Sequence, residues 1–189
     1  MAHYIIFGDS ITYGQNDLKG GWVQYLREEL TNDIVYNLGI DGETTTGLVN
    51  RLEEEIKPRL SEDDPNIVVI ALGVNDSARI SLKEFQQNLI QLIKLAQIYT
   101  SKIIFIGPAP IDQIKVDPVP WAPEISYKTN LVKQYSETMQ MLASQEKLKF
   151  VDLFHSLPPE YIKTLDDGLH PNHAGHQMIF EIIKESWKK

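Results

Sequence analysis

From Ile67 to Ile106 the chain reads IVVIALGVNDSARISLKEFQQNLIQLIKLAQIYTSKIIFI, and the succession of patterns in that stretch decides the fold. Ile67–Leu72 is a continuous apolar run, β-branched at Ile67, Val68, Val69 and Ile70. A strand covered on both faces reads this way, whereas one with a wet face alternates. From Leu82 to Tyr99 the period lengthens. Phe85, Leu89, Leu92, Ile93, Ala96 and Tyr99 fall on one side of a helix. Ser81 and Glu84 have the spacing of a capping box at its start. Ile103–Ile106 is a second short strand. Strand, helix and strand in this order form a unit of two parallel strands joined by a right-handed crossover.

The same alternation extends in both directions. Tyr4–Phe7 and Ile34–Leu38 precede the unit as strands, and Phe150–Leu153 follows it. Helical stripes lie between them: Trp22, Leu26 and Leu30; Leu48, Leu52 and Ile56; Tyr127, Leu131, Tyr135, Met139 and Leu142; and Met178, Ile179, Ile182 and Ile183. The expected architecture is a three-layer α/β/α sandwich around about five parallel strands. At 189 residues the chain is expected to form one domain spanning 1–189. A chain of this length buries about 70% of its unfolded surface and needs no metal or disulfide staple.

Composition excludes several classes. There is no cysteine, so a thiol nucleophile, a Cys-ligated metal and a disulfide framework are ruled out. With 26 acidic against 18 basic residues the formal charge is −8, which disfavours nucleic acid or an anionic membrane as partner. No stretch approaches the ~20 apolar residues of a membrane span. The N-terminal MAHYIIFGDS lacks the basic and apolar regions of a signal peptide. A cytoplasmic location is the expectation.

Four polar clusters remain: Gly8-Asp9-Ser10-Ile11-Thr12, Asn37 to Thr44, Gly73-Val74-Asn75-Asp76, and Asp167-Gly168-Leu169-His170. Three directly follow strands, and the fourth precedes the last helix. Parallel strands bring their C-terminal ends to one edge, where open α/β sheets place ligands. Taken singly, each residue has a structural explanation. Ser10 suits a helix cap or turn, Asp9 a turn, Asn75 and Asp76 a cap, Gly42 a positive φ, and His170 the surface. Together they supply acyl transfer. A serine hydroxyl needs an adjacent base, and an imidazole base needs a carboxylate to fix its tautomer. A tetrahedral oxyanion needs preorganised donors, which the N–H groups of Ser10 and Gly42 and the amide of Asn75 can furnish.

These clusters resemble the four blocks of the GDSL, or SGNH, family of esterases and lipases. GDSIT is similar to the nucleophile block, NLGIDGETT to the glycine block, GVND to the G-x-N-D block and DGLHPNHAGH to the D-x-x-H block. They occur in the family's order from Gly8 to His176. The resemblance implies a flavodoxin-like fold and a carboxylic ester substrate, with no metal or organic cofactor. It implies Ser10 as nucleophile, His170 as base, Asp167 as orienting carboxylate, and Ser10, Gly42 and Asn75 as the oxyanion hole. Asp166 rivals Asp167, although the D-x-x-H spacing favours the latter. His173 and His176 receive no catalytic role.

Other readings compete. His170, His173 and His176 with Asp167 superficially suggest a metal cluster, but a spacing of three on a helix splays the rings. GDSITYG is neither a phosphate-binding G-x-x-x-x-G-K-[ST] loop nor a G-x-G-x-x-G turn, which weakens a non-catalytic, flavodoxin-like ligand-binding module. Within the family, short-chain or acetyl esters are expected, with lysophospholipase or thioesterase activity as the alternative. Half of the 10 prolines lie between Pro108 and Pro123, in a long irregular excursion read as a substrate wall or lid, or else as an inert loop. Trp121, Val116, Val119 and Ile125 are its candidate acyl-site residues, Trp121 foremost.

Overall fold

The computed structural model describes residues 1–187. In chain order the elements are β1 (His3–Gly8), α1 (Ser10–Tyr13), α2 (Gly21–Glu29), β2 (Ile34–Gly39), α3 (Thr45–Ile56), β3 (Asn66–Ala71), α4 (Val74–Arg79) and α5 (Leu82–Gln97). There follow β4 (Ile103–Ile106), α6 (Gln113–Val116), α7 (Thr129–Gln145), β5 (Lys149–Val151), α8 (Leu153–Ser156) and α9 (His173–Trp187). The five strands are parallel, in the order β2-β1-β3-β4-β5.

Alternation along the strands divides the interior into two cores. Ile5, Phe7, Val68, Ile70, Ile103 and Phe105 face α3, α5 and α7, packing on Leu48, Leu52, Phe85, Leu89, Leu92 and Met139. Ile6, Val69, Ile106 and Val151 face the other way, onto Trp22, Val23 and Leu26 of α2 and Ile179 and Ile183 of α9. Every strand of the central unit is thus covered on both sides, which is why its sequence is apolar without alternation.

The strand order places a switch point at β1. The chain leaves β1 over one face to reach β2, then returns over the opposite face to β3. Ligands in open α/β sheets bind outside the carboxyl ends of strands at such a reversal. Gly8 pairs with Gly39 on one side and Ala71 on the other, so the three strand ends beside the crevice are level.

Three boundaries in the sequence reading overrun the observed element by two residues. The fifth strand ends at Val151, because the Asp152 side chain accepts from the His155 N–H and caps α8. The helix begun at Leu82 closes at Gln97 rather than Tyr99. The stripe from Tyr127 starts too early. Helix α7 opens at Thr129, and Tyr127 lies before it with its N–H donated to the Val116 carbonyl. Among the described residues no helix is long and apolar enough to cross a membrane.

Candidate active site

Ser10 is the first residue of α1, immediately beyond the end of β1. The turn from strand to helix is tight. A Cβ at Gly8 would lie 2.0 Å from Thr12 Oγ1 and 2.8 Å from the Ala71 carbonyl oxygen, so only glycine lets α1 pack this closely. Asp9 caps the helix by accepting the Ile11 N–H at 3.0 Å. Burial pushes the Asp9 carboxyl up to about 7, against the pull of that hydrogen bond.

Ser10 Oγ lies 2.9 Å from His170 Nε2, and His170 Nδ1 lies 2.7 Å from Asp167 Oδ2. The Asp167 turn is closed by its own backbone: Oδ1 accepts the N–H of Leu169 at 2.9 Å and of His170 at 2.8 Å. Burial alone would raise the Asp167 carboxyl. The His170 ring and the two backbone N–H groups outweigh burial and hold it down at about 2. An ionised carboxylate only accepts, so Nδ1 carries the ring proton and Nε2 of the neutral imidazole is left to accept from Ser10. Asp166 has no part in this chain of hydrogen bonds.

Gly42 lies in a turn closed by the Glu43 N–H donating to the Ile40 carbonyl, and its φ of +71° is the left-handed conformation that glycine adopts without strain. Arg79 Nη1 donates to the Gly42 carbonyl at 2.9 Å, fixing the orientation of that peptide. Asn75, in the first turn of α4, donates from Nδ2 to the Glu43 carbonyl at 3.0 Å and accepts the Tyr127 hydroxyl at Oδ1, 2.7 Å away. Behind it Asp76 is fully buried. It accepts the N–H and hydroxyl of Thr45, 2.8 and 2.6 Å away, and so ties the start of α3 to α4. Burial raises the Asp76 carboxyl to about 6.

Ser10, Gly42, Asn75 and His170 open onto one cavity of about 180 Å³, completed by Asp41, Arg79, Val119, Trp121, Ala122, Ile125, Tyr127 and Leu169. A more polar depression of about 330 Å³ adjoins it, lined by Gln15, Asp41, Trp121, Asp167 and His170. A surface depression of about 800 Å³ between α2 and α9 contains none of these groups. The Pro108–Pro123 excursion forms one wall of the site. Val119, Trp121 and Ile125 line the cavity. Val116 does not: it is fully buried in the core beneath the wall, where it anchors the loop.

The histidines of the last block go separate ways. His173 Nδ1 is 2.6 Å from the Tyr25 hydroxyl. Buried His176 approaches the Gln15 carbonyl through Nε2, at 3.0 Å, and the Trp22 N–H through Nδ1. His170 precedes α9 altogether, so the helical-spacing argument did not apply to it. Among the described residues no three His, Asp or Glu side chains gather as a metal site would require. Sequence reading missed Tyr127, Arg79 and Asp41 at the cavity. Tyr127 was absorbed into a helical stripe, Arg79 carries no motif, and Asp41 sits inside the glycine block with nothing in its spacing to single it out.

Comparison with known proteins identifies the family. The model of the GDSL-like Lipase/Acylhydrolase family matches residues 6–178. The chain belongs to that family. The isoamyl acetate-hydrolyzing esterase of Saccharomyces cerevisiae is 30% identical, over 96% of this chain and 84% of the relative. Esterase TesA of Pseudomonas aeruginosa is 28% identical, over 95% of this chain and 84% of the relative. A solved lipolytic G-D-S-L protein from Veillonella parvula superposes with a TM-score of 0.81 over the whole of both chains at 22% identity. This GDSL-like protein is therefore a carboxylic ester hydrolase with the family's parallel α/β fold.

Proposed function

We propose that this GDSL-like hydrolase cleaves short-chain or acetyl esters of small polar alcohols through an acyl-serine intermediate, with Ser10 as nucleophile, His170 as base and Asp167 as its orienting carboxylate. The observation that carries the reading is the Ser10–His170–Asp167 relay, with links of 2.9 and 2.7 Å, opening onto a cavity of about 180 Å³.

The steps follow from the hydrogen bonds. His170 Nε2 takes the Ser10 proton as Oγ bonds to the ester carbonyl carbon, and Asp167 stabilises the imidazolium. The carbonyl oxygen becomes an oxyanion held by the N–H groups of Ser10 and Gly42 and the free Nδ2–H of Asn75. As the first residue of α1, Ser10 has no acceptor within the helix for its N–H. When the tetrahedral adduct collapses, the bond to the alcohol oxygen breaks and His170 returns the proton to that oxygen. Water then repeats the sequence on the acyl-serine. His170 removes its proton, and Ser10 leaves with a proton from His170.

Size sets the acyl preference. The cavity of about 180 Å³ is small beside the roughly 300–1,000 Å³ of pockets that take drug-sized ligands, which favours a short acyl chain. Val119, Ala122, Ile125 and Leu169 give it an apolar wall. The adjoining depression, with Gln15, Asp41 and Trp121, offers hydrogen-bond partners and an exposed aromatic face to the alcohol. Acetyl esters also appear in the names of the yeast relative and of an acetylxylan esterase from Xylanibacter ruminicola, 30% identical over 66% of this chain and 29% of the relative. Residues 1–189 act as one domain in this reading, and a cysteine-free acidic chain suits the cytoplasm.

The test is hydrolysis of p-nitrophenyl acetate, butyrate, octanoate and palmitate by the wild type and Ser10→Ala. The expected result is a maximum at acetate or butyrate and loss of nearly all turnover in the folded variant. A maximum at octanoate or longer would replace this reading with a lysophospholipase or thioesterase. A Ser10→Ala variant keeping more than a tenth of the activity would remove Ser10 from its role.

A further inference from the structure

The amide of Asn75 is held by two partners of different kinds. The Glu43 carbonyl oxygen can only accept, so the group 3.0 Å from it must be Nδ2. Oδ1 therefore faces the Tyr127 hydroxyl, 2.7 Å away, and because Oδ1 can only accept, the phenol must donate. Burial raises the pKa of Tyr127 above that of a free phenol, which keeps the donor proton in place across the working pH range. With Oδ1 occupied and one Nδ2–H spent on Glu43, the amide plane is fixed. The remaining Nδ2–H is the only one left to serve the cavity shared with Ser10 and Gly42.

From this geometry we infer that Tyr127 is a positioning residue for the oxyanion hole. Its hydroxyl holds the Asn75 amide in the orientation that presents Nδ2–H to the developing oxyanion. It also polarises the amide, since a donor on the carbonyl strengthens donation from the nitrogen. Tyr127 is 3% exposed, and its backbone N–H is bonded to the Val116 carbonyl, so the phenol has a rigid base. Without it, Asn75 would turn about its last torsion with only the Glu43 contact to restrain it, and the third donor would be lost for part of the time. Preorganisation of this kind lowers the barrier without strengthening ground-state binding. The loss therefore falls on kcat.

This inference rests on Asn75 being an oxyanion donor, and a double-mutant cycle separates the two claims. Tyr127→Phe removes one oxygen and leaves the apolar packing, with the fold checked by circular dichroism and melting. On p-nitrophenyl acetate, Asn75→Ala is expected to lower kcat by about 10²–10³-fold. Tyr127→Phe is expected to lower it by roughly tenfold, with KM changed less than twofold, as a part-time loss of that same donor. In the Asn75→Ala background, Tyr127→Phe should cost less than twofold more. If Asn75→Ala leaves kcat intact, the oxyanion role of Asn75 fails. If Asn75→Ala is slow but the effect of Tyr127→Phe multiplies with it, or falls on KM, Tyr127 acts elsewhere and this inference is overturned. An independent measurement uses the wild type alone. The Asn75 side-chain amide resonances, assigned by their loss in Asn75→Ala, should show one slowly exchanging proton on Glu43. A rapidly exchanging, averaged pair would contradict a fixed amide.

Discussion

Asp9→Asn tests whether the residue before the nucleophile is carried as a neutral acid. Asp9 is 4% exposed, and burial, reinforced by the carboxylate of Asp76, raises its carboxyl from the ordinary 3.8 to about 7. In the unfolded chain the proton leaves near 3.8. Between those values the native state holds a proton that the unfolded state has released, so rising pH destabilises the fold. At about 1.4 kcal/mol per pH unit the whole interval corresponds to roughly 4 kcal/mol, present below pH 3.8 and lost as pH passes 7. About half of that, ~2 kcal/mol, falls between pH 5.5 and 8.5. Asparagine offers the Ile11 N–H the same acceptor and does not titrate. Urea denaturation of both proteins at the two pH values isolates the effect, because groups that do not interact with Asp9 cancel in the difference. Relative to wild type, the variant should gain about 2 kcal/mol on going from pH 5.5 to 8.5. That is on the order of 1 M in the urea midpoint. A difference that is equal at both pH values, or that moves the other way, would mean Asp9 is ionised in the native state at neutral pH.

Asp167→Asn should lower kcat by roughly 10⁴-fold with KM nearly unchanged, by removing the acceptor that fixes the His170 tautomer. Asp166→Asn should stay within twofold of wild type, and steady-state kinetics on p-nitrophenyl butyrate would show at once if the two are exchanged. Gly42→Ala places a Cβ 3.2 Å from Arg79 Nη1 on a backbone with φ of +71°. It should cost about 1–2 kcal/mol in thermal unfolding and lower kcat by at least roughly tenfold as the N–H shifts from the oxyanion. Ile125→Ala removes apolar wall from the cavity, so the chain-length optimum should lengthen by about two carbons at roughly one side chain's worth of volume. An unchanged optimum would show that the acyl group lies against another wall.

The sheet and its layers were legible because their signal is local and redundant. Ile67–Ile70 could not form an exposed strand, and Phe85 to Ala96 could not form anything but an amphipathic helix. The polar clusters were legible for a related reason. Parallel strands deliver their ends to one edge, so Ser10, Gly42 and Asn75 are brought together by topology. His170 and Asp167 needed only one turn between them, which the side chain of Asp167 itself closes through the N–H groups of Leu169 and His170. Boundaries failed where a side chain outcompeted a pattern, as when the Asp152 cap ends β5 before Leu153.

What the sequence hid is the layer behind the donors, because those contacts join segments with no local relation. Tyr127 meets Asn75 across 52 residues, and Asp76 meets Thr45 across 31. An apolar period through Tyr127, Leu131 and Tyr135 is as good a helix as any other, and nothing in it marks the first tyrosine as falling short of α7. The consequence is chemical. The wall proposed to select the acyl chain runs through Val119 and Ile125 and ends in Tyr127, whose hydroxyl meets the Asn75 amide. The Val119 N–H donates to Ile125 and the Ile125 N–H to Ala122, so the wall is one hydrogen-bonded piece. A substitution that displaces it to admit a longer acyl chain also displaces Tyr127, and through it the Asn75 amide. The proposed roles of the wall and of Asn75 thus predict that acyl selectivity and turnover are coupled: wall variants that change chain length are expected to lower kcat even toward acetate, which fills none of the space they create.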